Sequence, residues 1–501
     1  MTALNKALRR SVPLVLIAIL FVYQIAIRLR SDLIYDAAWF LYVAQGLLDG
    51  GELYRDFVEV NPPLAIWLTV PVVILSRVTG LAPVETFYGM FFATTAVSLL
   101  LVRRYLAMIR GVPDWAAGLV LVLLAAAFLF IPGRSFGQRE HLLVLLFMPW
   151  FVLRFARSQG TQISATESIL VGLLGAVAIC LKPHAVLAPL AVEALLLLRS
   201  RNLRAVFASE NLAAAIFVVI YGFAVVIWCP RFLSEMVGFG IAAYIPYYGT
   251  DAASILKRST QSVSVLVFAL VLQRMANGPM RELSGLALVA TAGFLASYFF
   301  QAKGYFYQIM PVQIFGAAGG IFALAGVFGG NNADEPKKSL RVPALVAFIL
   351  VLLSLMPQTY RNRATVFTAA ISQYRPGAKS VFIASTNVHN GFPLAVRENL
   401  IWGSRFPALW LIPYVSYRWH DGPLPDDPII AYALDATVTD LQTLRPEVVF
   451  INQSTSQDYV RNGTFDYMKF MGQDPKFAAI WSNYELRGQA GNFAVYVTKG
   501  P

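Results

Sequence analysis

Charge is scarce in this chain. Asp, Glu, Lys and Arg make up 14% of its 501 residues, against about 25% in ordinary globular proteins. That is too little to solvate the surface of a soluble protein this long. Cysteine is almost missing: Cys180 and Cys229 both fall inside apolar stretches, and no CxxC spacing exists. The two thiols therefore read as packing residues rather than a disulfide, and no cysteine-based metal spacing is present. Nor is there an internal repeat, or a run of acids or histidines at mid-segment of the kind ion-coupled carriers use. What fills the chain instead is apolar: 57% hydrophobic residues and a mean hydropathy of +0.60. These residues come in blocks. The runs at 12–27, 115–131 and 211–229 approach the roughly 17–25 residues that span about 30 Å of hydrocarbon as a helix. Unpaired backbone groups in lipid rule out open alternatives. The fold class is a polytopic α-helical membrane protein.

Charge placement sets the topology. Residues 1–27 start with Lys6, Arg9 and Arg10 and continue apolar without a small-residue cleavage site, which reads as a retained signal-anchor helix. The net charge of +12 is read as anchoring charge on the cytoplasmic side, with no role for nucleic acid. About a dozen hydrophobic segments can be drawn, near 12–28, 62–78, 84–102, 115–131, 140–156, 168–181, 184–198, 211–229, 262–276, 283–299, 306–328 and 342–357. The segment 62–78 is a poor span, since it begins Pro62-Pro63, contains Pro71 and ends at Arg77. Laid at the interface, it leaves about eleven crossings and puts the basic loops on one side. Those loops are Arg103/Arg104/Arg110, Arg154/Arg157, Arg199/Arg201/Arg204, Arg274/Arg281 and Lys337/Lys338/Arg341. The N-terminus is then cytoplasmic. The outer stretches are a long first loop at 29–83, then 132–139, the turn at Lys182, 230–261, 300–305 and the C-terminal region.

After about residue 358 the composition changes. Short β-type runs at 380–385, 447–452 and 493–498 alternate with helical stretches and turn clusters such as Asp421-Gly422-Pro423. The expected organisation is a transmembrane module over 1–358 and a small extracytoplasmic α/β domain over 359–501. That domain has no Gly-rich phosphate loop and no nucleophile elbow, so it reads as an accessory or acceptor-facing module.

The residues able to do chemistry sit in the outer stretches. Asp36 opens a segment in which Trp39, Val43 and Leu47 recur at i, i+4 and which Gly50-Gly51 ends. It reads as a short amphipathic helix lying on the membrane surface, with Asp36 as a helix cap, a catalytic acid, or both. Glu59, Asn61, Pro62 and Pro63 follow. The next loop packs Arg134, Arg139, Glu140 and His141, and Lys182-Pro183-His184 breaks two short helices. Lys303-Gly304 precedes Tyr307. Singly, such charges at a membrane boundary are most often snorkelling anchors. Their convergence on one side is the stronger signal. An acid that activates a hydroxyl, with Arg, Lys and Tyr that receive a departing phosphate, suits transfer from a phosphate-linked sugar. The paired carboxylates of a glycoside hydrolase are not needed for that.

The pattern Asp36…Ala44-Gln45-Gly46…Gly50-Gly51 followed by Pro62-Pro63-Leu64 resembles the first loop of GT-C glycosyltransferases. The nearest likeness is to the protein O-mannosyltransferase-like and lipid A aminoarabinose transferase families, over most of the chain. The resemblance implies that Asp36 is the catalytic acid and Glu140 the second acid. It makes Lys182, and Lys303 with Tyr307, phosphate contacts. The residues themselves add Arg139 to these contacts and give Arg134, His141, Glu59 and Asn61 as the rest of a candidate substrate-binding set. Relatives often carry Asp-Glu at the first acid and Lys or His before the proline. Here Asp36-Ala37 and Asn61-Pro62 stand instead, which removes one charged contact. No cofactor is assigned, and a divalent cation is left open, two separated carboxylates being a thin ligand set. The implied activity moves a sugar from a polyprenyl-phosphate donor to an envelope lipid, polysaccharide or protein at the outer face of a bacterial inner membrane. A transporter or lipid-linked-sugar flippase is the rival reading, and a receptor-like protein with a working outer domain is a second.

Overall fold

The computed structural model describes residues 3–329, 341–355 and 365–499. The Lys337/Lys338 pair and the expected boundary between 358 and 359 lie outside the described residues. In chain order the main helices are α1 (Ala3–Arg28), α2 (Tyr35–Leu48), α3 (Leu64–Thr79), α4 (Pro83–Met108), α5 (Asp114–Phe130), α6 (Arg139–Ser158) and α7 (Ala165–Leu181). They continue with α8 (Leu187–Ser200), α9 (Ser209–Trp228), α10 (Ala252–Met275), α11 (Gly278–Phe300), α12 (Met310–Gly329) and α13 (Arg341–Leu355). Among the described residues, eight helical segments are long and apolar enough to cross a membrane. Each of the eleven expected crossings is a helix, but α5 and α7 have 17 residues and α13 has 15, near the lower limit for a span. The surface fits lipid as solvent. An 18-residue window of α9 has a mean hydropathy of 2.3, yet only 6% of that window is buried.

The described residues within Met1–Ser31, Phe87–Phe223 and Thr250–Tyr360 form one compact unit. Small residues let its helices approach closely, as the lack of a hydrophobic drive within lipid requires. A Cβ on Gly293 of α11 would lie 2.6 Å from the Ala188 Cα of α8, and one on Gly172 of α7 would lie 2.2 Å from the Glu210 carbonyl oxygen of α9. Phe147, Phe294 and Phe315 interlock in the core, with ring centroids 5.0–5.5 Å apart. At the C-terminal end of α6, buried Arg154 meets Glu193 at 2.6 Å and Glu210 at 2.6 Å. Arg157 adds a contact to Glu210 at 2.9 Å and donates to the Ser168 hydroxyl at 2.7 Å. Two cations and two carboxylates thus neutralise one another where water is scarce.

The second unit comprises the described residues within Asp32–Thr86, Ala224–Gly249 and Arg361–Pro501. Its sheet has the order β2-β1-β3-β5-β4, with β1 (Ser380–Ala384), β2 (Ile401–Trp402), β3 (Val448–Asn452), β4 (Tyr484–Ala490) and β5 (Phe493–Thr498). The first three are parallel, with Val381 opposite both Trp402 and Val448; β5 runs antiparallel to β3 and β4. Strands β1 and β3 are buried on both faces, which is why Val-Phe-Ile-Ala and Val-Val-Phe-Ile read as unbroken apolar runs. All three expected strands are present. Strands β2 and β4 are additions, the first only two residues long and the second an exposed edge with a register shift at Leu486/Gly488.

The first loop packs onto this α/β domain. Tyr42 of α2 accepts a hydrogen bond from the Trp402 amide at 2.9 Å, and the Val58 amide donates to the Arg405 carbonyl at 2.7 Å. Trp39 lies 5.2 Å from the Phe392 ring, and Asp32 pairs with Arg397 at 3.2 Å. Burial pushes the Asp32 carboxyl above its ordinary range, and Arg397 draws it back. The expectation of a helix lying on the membrane surface is corrected here. Ala37, Ala38, Trp39, Phe40, Leu41, Val43 and Ala44 of α2 are all buried, covering most of its circumference, because its neighbours are α3 and the α/β domain. Its stop is as read: Gly50 has φ +96°, a conformation that favours glycine. The Phe57 ring folds back over the two glycines, so that a Cβ would meet it at 2.1 Å on Gly46 and 2.6 Å on Gly51.

Candidate active site

Helix α6 begins at Arg139 and places Glu140 in its first turn, where the free amides of the helix end favour a carboxylate. Glu140 is buried and pairs with the Lys182 ammonium at 2.9 Å. Lys182 occupies the break between α7 and a 3-10 turn at Pro183–Val186, with φ −146° and ψ 86°, as the Lys-Pro-His interruption implied. Its ammonium stands 5.9 Å from the Tyr307 ring centroid. His184 shares a 2.7 Å hydrogen bond with Ser297 of α11, and the charges of Lys182, Arg139 and Lys303 all bear on its ring. Within this unit the fold therefore gathers Arg139, Glu140, Lys182, Lys303 and Tyr307, which lie up to 168 positions apart in the chain (307 − 139).

Arg134 and His141, from the same loop, go elsewhere. His141 is fully buried between Phe91 and Phe136, at 5.3 and 4.6 Å, and accepts the Gly137 amide at 3.4 Å. It is packed as a core side chain. Arg134 is exposed, lies over the Phe306 ring at 3.7 Å, and lines a cavity of about 590 Å³. Arg258, Tyr298, Tyr305 and Gln313 line the same space. Arg258 donates to the Gly304 carbonyl at 2.8 Å. Gly304 has φ +64°, so the glycine after Lys303 is what allows this turn.

Asp36, Glu59 and Asn61 belong to the second unit. Asp36 is half-buried in the first turn of α2 but does not occupy the N-cap position, which Ile34 holds without a side-chain cap bond. The capping reading is therefore corrected. Glu59 is buried, its oxygens taken by the Trp39 indole at 2.9 Å and the Asn61 amide at 2.9 Å, with the Asn61 side chain at 2.5 Å. The Asn61 carbonyl accepts Tyr54 at 2.9 Å. Glu59 and Asn61 thus brace the loop that carries Asp36.

Two functional candidates were not picked out from sequence. His184 had a signal, since it follows Lys182-Pro183 directly. Arg258 carried no such signal, because it sits in the polar run 257–264 beside another cation. Among the described residues no group of three or more His, Cys, Asp or Glu side chains is placed to hold a metal ion.

No protein-family model matches the chain, and no curated protein matches it. Its fold does have a solved counterpart. The crystal structure of ArnT from Cupriavidus metallidurans bound to undecaprenyl phosphate is similar over 100% of both chains, with a TM-score of 0.54 and 11% identity. At that identity the likeness speaks for the fold, which is the GT-C-like arrangement the sequence resemblance implied.

Proposed function

We propose that this chain is a membrane glycosyltransferase that moves a sugar from a polyprenyl-phosphate carrier to an envelope acceptor, at the outer face of a bacterial inner membrane. The observation that carries the reading is the assembly of Arg139, Glu140, Lys182, Lys303 and Tyr307 in one unit, within a fold whose solved counterpart binds undecaprenyl phosphate. In the reaction the bond from the anomeric carbon to the phosphate oxygen breaks, and a bond to an acceptor hydroxyl forms. The lipid phosphate leaves with the bonding electrons. Asp36 takes the proton of the acceptor hydroxyl or orients it. Arg139, Lys182, Lys303 and Tyr307 stabilise the charge that grows on the leaving phosphate. Glu140 holds Lys182 in place through their ion pair. The 590 Å³ cavity with Arg134 and Arg258 suits the approach of the carrier's anionic end. On this reading the N-terminus is cytoplasmic, and the transmembrane part over 1–358 does the donor chemistry while the outer domain over 359–501 meets the acceptor.

The test uses purified protein in lipid vesicles with radiolabelled polyprenyl-phosphate sugars and cell-envelope lipids. Label should move to a new product, and Asp36→Asn should abolish transfer in a protein that still inserts and folds. Label that crosses the vesicle unchanged would make the chain a flippase. Full activity in Asp36→Asn would remove Asp36 from the chemistry.

A further inference from the structure

A second cavity, of about 690 Å³, lies wholly within the α/β domain, a size typical of small-ligand sites. It opens beyond the C-terminal end of β3, where Asn452 and Gln453 begin the loop that lines it. The chain goes from β1 to β2 on one side and places β3 on the other. The cavity is walled by the loop that follows β3 and by the segment 416–421, with β1 set apart from it. None of the residues assigned above to sugar transfer lines this cavity.

Its walls are built, not incidental. The Gln457 amide donates to the Gly463 carbonyl at 2.7 Å, and its side chain donates to the Phe465 carbonyl at 3.0 Å. Asn462 and Gly463 turn the loop with φ of +56° and +72°. Buried Trp419 braces it from below, 6.1 Å from the Phe465 ring, and donates to the Gly422 carbonyl at 2.8 Å. Among the described residues, the Gln457 side-chain oxygen at the wall accepts no hydrogen bond.

The lining chemistry selects the ligand. The ionic groups are mixed in sign, Arg461 against Asp421 and Asp466, with His420 beside them. Arg461 contacts His420, and Asp421 pairs with Lys469 at 3.3 Å. That balance gives no strong field for a free anion, unlike the cavity with Arg134 and Arg258. Gln453, Thr455, Asn462 and Thr464 are exposed and offer amide and hydroxyl groups that both donate and accept. Aromatic rings floor the space. Closely spaced groups that donate and accept, over an apolar floor, match the alternating hydroxyls and C–H faces of a sugar ring. We infer that the α/β domain carries a carbohydrate-binding site, for an uncharged sugar, at the C-terminal end of β3. It goes beyond the transfer reading and does not depend on it.

The test is saturation-transfer NMR on the full chain in nanodiscs, with maltose, lactose, methyl mannoside and inorganic phosphate as probes. At least one saccharide should bind saturably. Gln453→Ala with Asn462→Gly, which keeps the backbone turn, should weaken it at least tenfold without moving the thermal midpoint. Asp36→Asn should bind it unchanged, so a failure of the transfer reading leaves this result standing. Binding of phosphate but no saccharide, binding of none of the probes, or saccharide binding indifferent to the double variant would each overturn the inference.

Discussion

At one end of α6, Arg154 and Arg157 meet Glu193 and Glu210, and the charges match one for one. At the other, Arg139, Lys182 and Lys303 gather with Glu140, the one acid of the segments 139–141, 182–184 and 301–308. Both ends hold a buried carboxylate in an ion pair, yet their composition differs in kind. A matched set satisfies itself and fixes the packing of α6, α8 and α9. The other set, with Arg139 and Lys182 buried and cations outnumbering the acid of its segments, has the sign of charge that an anionic substrate would match. The lesson is that an ion pair inside a membrane protein is judged by the charge of its whole neighbourhood.

The matched end should fail as structure. Arg154→Met leaves Glu193 and Glu210 without their shared partner, and should cost about 3–5 kcal/mol in unfolding measurements in lipid. Transfer per folded molecule should be unchanged. The cation-rich end should fail as chemistry: Glu140→Gln combined with Lys182→Gln removes the pair together and should lower kcat by about 10²–10³-fold. If that double variant instead unfolds as Arg154→Met does, the two ends are alike and the distinction is broken. Gly304→Ala forces a side chain into the left-handed turn under Arg258, at about 1–2 kcal/mol, seen as a lower thermal midpoint and a raised KM for donor. Ser168→Ala removes only the 2.7 Å hydrogen bond from Arg157. It should cost about 0.5–1.5 kcal/mol and leave transfer untouched.

Much of this was legible before the fold was seen. The membrane class follows from apolar blocks. Strands β1, β3 and β5 follow from short runs such as Val448–Asn452, whose burial on both faces demands apolar residues throughout. Strand β4 was hidden because Glu485, Arg487 and Gln489 make it a polar edge with a bulge. The gathering of Glu140 with Lys182 was foreseen only through topology, since no spacing rule links positions in different helices. The docking of α2 was not foreseen. The apolar spacing of Trp39 and Val43 announces that a face is buried, but not against what. Its partner, Trp402, lies 360 positions away. Nor does any spacing rule announce the Trp39 indole on the Glu59 carboxylate, 20 positions away.

The most direct measurement compares binding of a polyprenyl phosphate, by native mass spectrometry, to the wild-type chain, to Glu140→Gln/Lys182→Gln and to Arg154→Met. Wild type and the folded fraction of Arg154→Met should retain the lipid, and the Glu140/Lys182 variant should lose most of it. Equal retention by all three would contradict the assignment of the N-terminal end of α6 to the lipid phosphate.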